Sequence, residues 1–144
     1  MLITNHVIAG ALVGAVSPGP VSAFLLGVGS HFAMDALPHW GDDDVFLQVA
    51  VVDGLVGLTT MGLIWRKASA ARRTTVAAGM LGAAFPDADK PWNLFIGGSP
   101  FPASVDRFHE RIQIESPRRL PQEFVVAGLG VLTLGILRRR RGHA

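Results

Sequence analysis

The chain has 144 residues, of which 49% are hydrophobic and only 17% are charged. Soluble domains carry about 25% charged residues, so the composition favours an integral membrane protein of one domain over a soluble protein. Cysteine is absent, which excludes disulfides and thiolate metal sites. Any metal site must therefore use histidine, carboxylates and water as ligands.

In chain order, five apolar segments predict helices, and several of their boundaries lie at proline or glycine. They cover residues 3–16, 20–37, 45–65, 74–85 and 123–137. The third is the clearest membrane span, because about 20 apolar residues suffice to cross a bilayer. The sequence thus predicts an all-α fold, a small polytopic bundle of five membrane helices that forms one domain over residues 1–144.

Residues 86–121 differ from these segments, because they contain six prolines and charges of both signs. We expect an ordered cap or loop region here rather than a linker. A short helix is predicted over 104–114, since Val105, Phe108 and Ile112 recur at helical spacing. This cap would cover one end of the bundle.

The basic residues predict an orientation in the membrane. Four of them lie at positions 66–73, between the third and fourth segments, and Arg138 to Arg141 follow the fifth. The positive-inside rule places both groups, and with them the C-terminus, in the cytoplasm of a bacterial-type plasma (inner) membrane. The arginine run is not interleaved with aromatic residues, so it indicates an anchor on membrane lipid and not nucleic-acid binding.

His31, Asp35 and His39 are spaced i, i+4 and i+8 at the end of the second apolar segment. On a helix these side chains share one face, and ionisable groups in a membrane segment mark function by default. A hydrogen-bonded structural pair is the alternative for His31 and Asp35. The proposed orientation brings further histidines and aspartates to the same face. The full set of predicted metal ligands is His6, His31, Asp35, His39, Asp87, Asp89 and His109.

Two further carboxylates are predicted to be catalytic. Asp53 is surrounded by apolar residues in the third segment and must find a partner, because an unpaired buried carboxylate is very costly. Glu110 lies next to His109 on the predicted cap helix and is a candidate general base. The expected cofactor is a divalent metal, zinc first, with manganese, iron or magnesium also compatible with these ligands.

A metal held by His and Asp supplies hydroxide at neutral pH, which suits hydrolysis of a phosphoester. The chain contains no Gly-x-Ser-x-Gly, P-loop or His-Glu-x-x-His motif, which disfavours serine hydrolases, nucleotide-driven proteins and zincins. Two other classes stay open. The buried carboxylates could relay protons or metal ions in a transporter. Alternatively, the histidines could hydrogen-bond to one another in a structural membrane protein. The glycine-rich helices also allow the chain to form homo-oligomers.

Three short motifs carry a family resemblance. They are Thr4-Asn5-His6, the run from Ser30 to Asp35, and Phe85-Pro86-Asp87-Ala88-Asp89. The chain resembles the bacterial membrane-bound, metal-dependent hydrolases regulated by LexA, which have an early His, a Ser-His-x-x-x-Asp helix and a Leu-Pro-Asp-x-Asp turn. In that family the turn precedes the helix, whereas here it follows. The resemblance implies a membrane hydrolase whose metal is bound by these His and Asp residues.

A weaker likeness is to zinc-dependent phospholipase C and the related single-strand nucleases. Those all-helical enzymes carry a His-x-x-x-Asp pair on one helix with another His close behind, and His31, Asp35 and His39 look similar. The likeness implies a phosphoester substrate such as a phospholipid.

Overall fold

The computed structural model describes residues 1–42 and 44–142 and is mostly helical. Its α-helices are α1 (Ile3–Val16), α2 (Pro20–Asp35), α3 (Phe46–Lys67), α4 (Arg73–Ala84), α5 (Asp89–Phe95), α6 (Ala103–Ile112) and α7 (Leu120–Gly142). Two-residue strands β1 (Pro38–His39) and β2 (Ile114–Glu115) pair in parallel. Short 3-10 turns cover Ala70–Arg72, Phe85–Ala88 and Pro117–Arg119.

Glycines bring α1, α2 and α4 into backbone contact. A Cβ added at Gly10 on α1 or at Gly27 on α2 would clash with the carbonyl oxygen of Gly79 on α4. A Cβ at Gly14 would lie 2.6 Å from the Thr75 carbonyl oxygen. Small residues allow this close approach in membrane and soluble helix pairs alike. These three helices therefore form the tightly packed centre of the bundle.

The helices of the bundle alternate in direction. The start of α1 contacts α3 and α7, since Asp53 and Glu123 accept hydrogen bonds from the backbone of residues 2–4. At the opposite end, Arg72 donates to the Ser17 carbonyl at 2.7 Å, and Arg138 donates to the Lys67 carbonyl at 2.8 Å. We call these the acidic end and the basic end. The starts of α1, α3 and α7 and the ends of α2 and α4 lie at the acidic end.

Two helices are long and apolar enough to cross a membrane, Phe46–Lys67 and Pro117–Arg140. Only 11% and 6% of their apolar windows are buried, whereas the core helix of a soluble protein would be mostly buried. Large apolar side chains such as Leu55 and Leu129 instead face outward. By length and composition, both helices are therefore candidate membrane spans.

The predicted segments agree with the observed helices to within a few residues, and the all-α class is confirmed. Two features were not predicted. The cap contains a second helix, α5, and the β1–β2 pairing ties the segment after α2 to the segment after α6. The pairing is completed by the Ser116 amide, which donates to the His39 carbonyl at 3.0 Å. It closes the cap over the acidic end.

Candidate metal centre

The side chain of His31 on α2 is held by the end of α4. Its Nδ1 lies 2.8 Å from the carbonyl oxygen of Ala83. Because a carbonyl only accepts hydrogen bonds, Nδ1 carries the proton and the lone pair is on Nε2 in the neutral ring. Metal-binding histidines are commonly oriented in this way, by a backbone carbonyl on the other ring nitrogen.

The carboxylate of Asp35 lies at the centre of a cluster of imidazoles. Its Oδ2 is 2.9 Å from His109 Nε2 and 3.1 Å from His31 Nε2. Its Oδ1 is 3.1 Å from His6 Nε2 and 3.0 Å from the amino nitrogen of Met1. All three histidines and Asp35 are buried. One carboxylate on α2 thus meets imidazoles from α1, α2 and α6.

His6 is the least satisfied member of this cluster. Its ring stacks on that of His31, with centroids 4.0 Å apart, and it is fully buried. Among the described residues, Nδ1 of His6 forms no hydrogen bond, and Nε2 has only the contact with Asp35 Oδ1 at 3.1 Å. A buried polar group without a partner is unusual and costs free energy. Asp87 completes the cluster, with Oδ1 at 3.9 Å from the Nε2 atoms of both His31 and His109.

If all three imidazoles are neutral, hydrogen bonds alone do not account for this arrangement. His31 Nε2 has no proton in the neutral ring, yet it lies 3.0 Å from His109 Nε2, so His109 would have to share one proton between His31 and Asp35. A cation at the centre would accept all of these lone pairs. Tetrahedral zinc ligands lie about 3.3 Å from one another, close to the 2.9–3.1 Å separations of the donor atoms here.

Two sets of donor atoms are close enough to hold a metal ion. One is His6, His31 and Asp87, and the other is His31, Asp35 and His109. Both sets use Nε2 of His31, because Nδ1 is committed to Ala83. One nitrogen lone pair binds one ion, so a single ion can use His31 at a time and the two sets overlap at this residue.

A polar pocket of about 260 Å³ lies against this cluster, and His109 belongs to both. The α5 side of the pocket carries Asp89 and Lys90, and the α6 side carries Asp106, Glu110 and Gln113. Glu110 is exposed, so its carboxylate is in contact with solvent in the pocket. The predicted general base is therefore placed beside the cluster, and its catalytic role stays a prediction.

Lys90 is a residue of the pocket that sequence reasoning missed. Its Nζ lies 3.2 Å from Asp89 Oδ2 and 4.0 Å from Asp87 Oδ1. Burial by itself lowers the pKa of the Lys90 ammonium, but the charges of Asp87 and Asp89 outweigh it and raise that pKa above its usual value. The run Asp-Ala-Asp-Lys contained the signal, since it places a cation directly after two predicted ligands.

Asp53 lies at the start of α1. Its carboxylate accepts hydrogen bonds from the backbone amide of Ile3, and from the amide and hydroxyl of Thr4. These are the groups that a helix N-terminus leaves without partners. The contacts account for a buried carboxylate in α3, and neither of the two donor sets includes Asp53. Its predicted catalytic role stays a prediction.

A third buried carboxylate, Glu123 on α7, was not singled out by the sequence. It accepts hydrogen bonds from the Leu2 amide at 3.1 Å, from the Asn5 side chain at 2.7 Å and from the Trp40 amide at 3.0 Å. It therefore joins α1, α7 and the loop after β1 beneath the cluster. Its partners are about 80 to 120 residues away in the chain, so no local pattern could have revealed it.

Two predicted ligands lie outside both donor sets. Asp89 lines the pocket and pairs with Lys90. His39 is buried in β1, where Nδ1 lies 2.8 Å from the Leu37 carbonyl and Nε2 lies 3.5 Å from Glu115. The structure thus brings together His6, His31, Asp35, Asp87 and His109 of the predicted set.

Comparison with known proteins adds no relative to this picture. No family model, no curated protein and no solved structure matches the chain.

Proposed function

We propose that this chain is a membrane-embedded, metal-dependent hydrolase that cleaves a phosphoester at the membrane surface. The observation that carries the proposal is the convergence of His6, His31, Asp35 and His109 on one buried point beside a polar pocket. The ion would be bound by these residues, with Asp87 close enough to join them. Zinc suits this donor set best, and manganese and iron also suit it.

The membrane setting is the five-helix bundle of α1, α2, α3, α4 and α7. Support comes from the outward apolar faces of α3 and α7 and from the alternating helix directions. The basic end would lie in the cytoplasm, because Arg72 and Arg138 and their basic neighbours are all at that end. The cluster and its pocket would then lie at the outer face, level with lipid headgroups.

The bound metal would supply a hydroxide nucleophile and polarise the phosphoryl group. The other groups come from the pocket. Lys90 is charged, because Asp87 and Asp89 stabilise its ammonium, and it would bind an anionic phosphate oxygen. Glu110 would take up or return the proton of the attacking water. Asp87 Oδ1 lies 3.9 Å from Nε2 of both His31 and His109 and 4.0 Å from Nζ of Lys90. It would therefore fix the position of Lys90 relative to the cluster.

The position of the cluster favours hydrolysis over transport. His6 lies in the first turn of α1, and Asp35 is the last residue of α2, so both are at the acidic end and not midway along the bundle. A relay for protons or ions needs ionisable groups near the middle of the bilayer. A pocket next to the cluster, on the same end, is what a substrate from the headgroup layer requires.

The test is turnover in a defined membrane. The purified chain is reconstituted with zinc or manganese into vesicles of phosphatidylcholine and phosphatidylglycerol, and release of water-soluble phosphate esters is followed alongside hydrolysis of bis(p-nitrophenyl) phosphate. We expect turnover that His31→Ala abolishes and that Glu110→Gln lowers by about 10²–10⁴, the usual contribution of a general base. Glu110→Gln should keep its metal, since Glu110 belongs to neither donor set.

Three results would contradict the proposal. The first is a wild-type chain that binds no divalent metal. The second is a chain that binds metal but hydrolyses neither the lipids nor the soluble diester. The third is flux of metal ions or protons across the vesicle membrane without hydrolysis, which would favour a transporter.

A further inference from the structure

The segment between Pro91 and Val105 contains no charged residue, although it belongs to the cap and not to either candidate span. Its large apolar side chains are turned outward. Phe95 is 81% exposed and Ile96 is 66% exposed, and Trp92 and Leu94 are also exposed. Soluble caps rarely leave such a group of side chains in water. The exposed group therefore needs an explanation.

This segment packs on the bundle through aromatic rings. The ring of Phe101 packs on Phe85, with centroids 5.3 Å apart, and Phe85 packs on Phe24 of α2 at 5.7 Å. The Ser99 hydroxyl donates a hydrogen bond to Asp106 of α6 at 2.9 Å. The loop after α5 therefore lies between the end of α4 and α6.

The helix α6 lies at the level of the cluster. The ring of Phe108 packs on Phe32, one residue from His31, at 5.3 Å. The cap thus has two parts, α6 over the acidic end and, beside it, the exposed apolar segment from Trp92 to Phe101.

From this placement we infer that residues 92–101 form a lipid-contacting platform at the outer surface of the bilayer, partly inserted in the outer leaflet. The inference rests on the proposed membrane location of the bundle. Lipid is the fitting partner because the platform is uncharged, its large apolar side chains are exposed, and the same chain carries two helices long and apolar enough to cross a membrane. Its Trp and Phe side chains are the types that settle at the boundary between headgroups and acyl chains.

The backbone of the platform suits that depth. The amides of Ile96 and Gly97 both donate to the Trp92 carbonyl, and the Phe101 amide donates to the Ser99 hydroxyl. Backbone groups that face lipid must find partners within the protein, and these groups do. An interfacial segment buried by about 5–10 Å is consistent with this partial pairing.

The platform also determines where the pocket lies relative to the bilayer. Asp89 and Lys90 occupy the first turn of α5, and the rest of the same short helix is uncharged and mostly apolar. If α5 lies on the bilayer, its polar start and the pocket meet the headgroup layer. A lipid could then enter the pocket sideways from the leaflet, without leaving the membrane.

Site-directed spin labelling tests the platform, and the absence of cysteine makes single-cysteine variants straightforward. Nitroxides are placed at Phe95→Cys, at Leu55→Cys on the outward face of α3, and at Glu110→Cys in the pocket, and each variant is reconstituted in lipid nanodiscs. Accessibility to oxygen, which enters lipid, is compared with accessibility to a water-soluble nickel complex. Variants are used only if they retain wild-type metal content. If the Phe95→Cys variant loses metal, Ile96→Cys is used in its place.

We expect the oxygen-to-nickel accessibility ratio at Phe95 to match that at Leu55 and to exceed that at Glu110 several-fold. A ratio at Phe95 equal to that at Glu110, with Leu55 still shielded from nickel, would overturn the platform and leave the membrane bundle intact. Protection of the Phe95 label from both reagents would also overturn it, because a second copy or another protein would then cover the segment. Nickel access at Leu55 would instead refute the membrane bundle itself.

Discussion

His31 on α2 and Ala83 on α4 are joined by a 2.8 Å hydrogen bond from imidazole Nδ1 to the backbone carbonyl. The bond fixes two things together, the direction of the Nε2 lone pair and the position of α2 on α4. The carbonyl comes one residue after Gly82, whose lack of a side chain allows α4 to approach the Phe24 backbone closely. The geometry of the candidate metal centre therefore depends on glycine packing as well as on its His and Asp side chains.

The first prediction concerns the metal itself. His31→Ala and Asp35→Ala should each lower metal affinity by at least tenfold, because loss of an outer hydrogen-bond partner alone costs about 10–100-fold. Metal content after purification in mild detergent is the measurement. His39→Ala is the matched control, since that buried histidine lies outside both donor sets and should leave the metal content unchanged. Equal metal content in all four proteins, or none in the wild type, would contradict the site.

The second prediction concerns the helix packing that supports the centre. Gly79→Ala should lower the free energy of unfolding by about 1–3 kcal/mol, the usual cost of overpacking, because the new Cβ would clash with the Gly10 carbonyl. Thermal unfolding in detergent is the measurement. Gly54→Ala serves as the control, since a Cβ there meets no atom of the described chain within 4 Å. A Gly79→Ala protein as stable as the Gly54→Ala protein would show that α4 does not pack in this way.

The third prediction separates two roles for Asp53. If its carboxylate mainly caps α1, Asp53→Asn should destabilise the fold by about 0.5–2 kcal/mol, as the loss of a helix cap does, and keep its metal. If Asp53 is catalytic, the same variant should keep its melting temperature and lose activity or metal affinity. The contacts to Ile3 and Thr4 favour the first outcome. Melting temperature and metal content, measured on the same sample, distinguish the two.

The fourth prediction concerns orientation. Cysteines introduced at Asp42 and Ala70 should be labelled by a membrane-impermeant thiol reagent from opposite sides, with Asp42 facing outward. The reason is that Asp42 follows β1 at the acidic end, whereas Ala70 lies in the basic turn between α3 and α4. Intact cells and inverted vesicles give the two measurements. Labelling of both positions from the same side would refute the antiparallel bundle as a membrane structure.

Local patterns were sufficient to predict the helices of the bundle and the pairing of His31 with Asp35. The first helix is an example, because the run Ser17-Pro18-Gly19-Pro20 ends α1 and starts α2 through fixed backbone angles. The i, i+4 spacing likewise held for His31 and Asp35, which both lie within α2.

The prediction that His39 shares a helix face with His31 and Asp35 was wrong. Proline disfavours a helical conformation in the residue before it, so Pro38 ends the helix, and α2 stops at Asp35. The chain then extends into β1, which turns His39 away towards Glu115. The contacts of Asp53 and Glu123 could not be predicted at all, since their partners are 49 to 121 residues away in the chain and depend on which helices become neighbours.

The lengths of the helices also bear on the shape of the surrounding bilayer. The 12 residues of α4 span about 18 Å, whereas the 22 residues of α3 span about 33 Å. A hydrocarbon core is about 30 Å thick, so the long side of the protein matches it and the short side does not. In the membrane setting proposed above, lipids beside α2 and α4 would compress or tilt, at a cost of fractions of a kcal/mol for each Å of mismatch. Their headgroups would then sink towards the pocket, and a thin, strained patch of membrane would present its lipids to the metal centre.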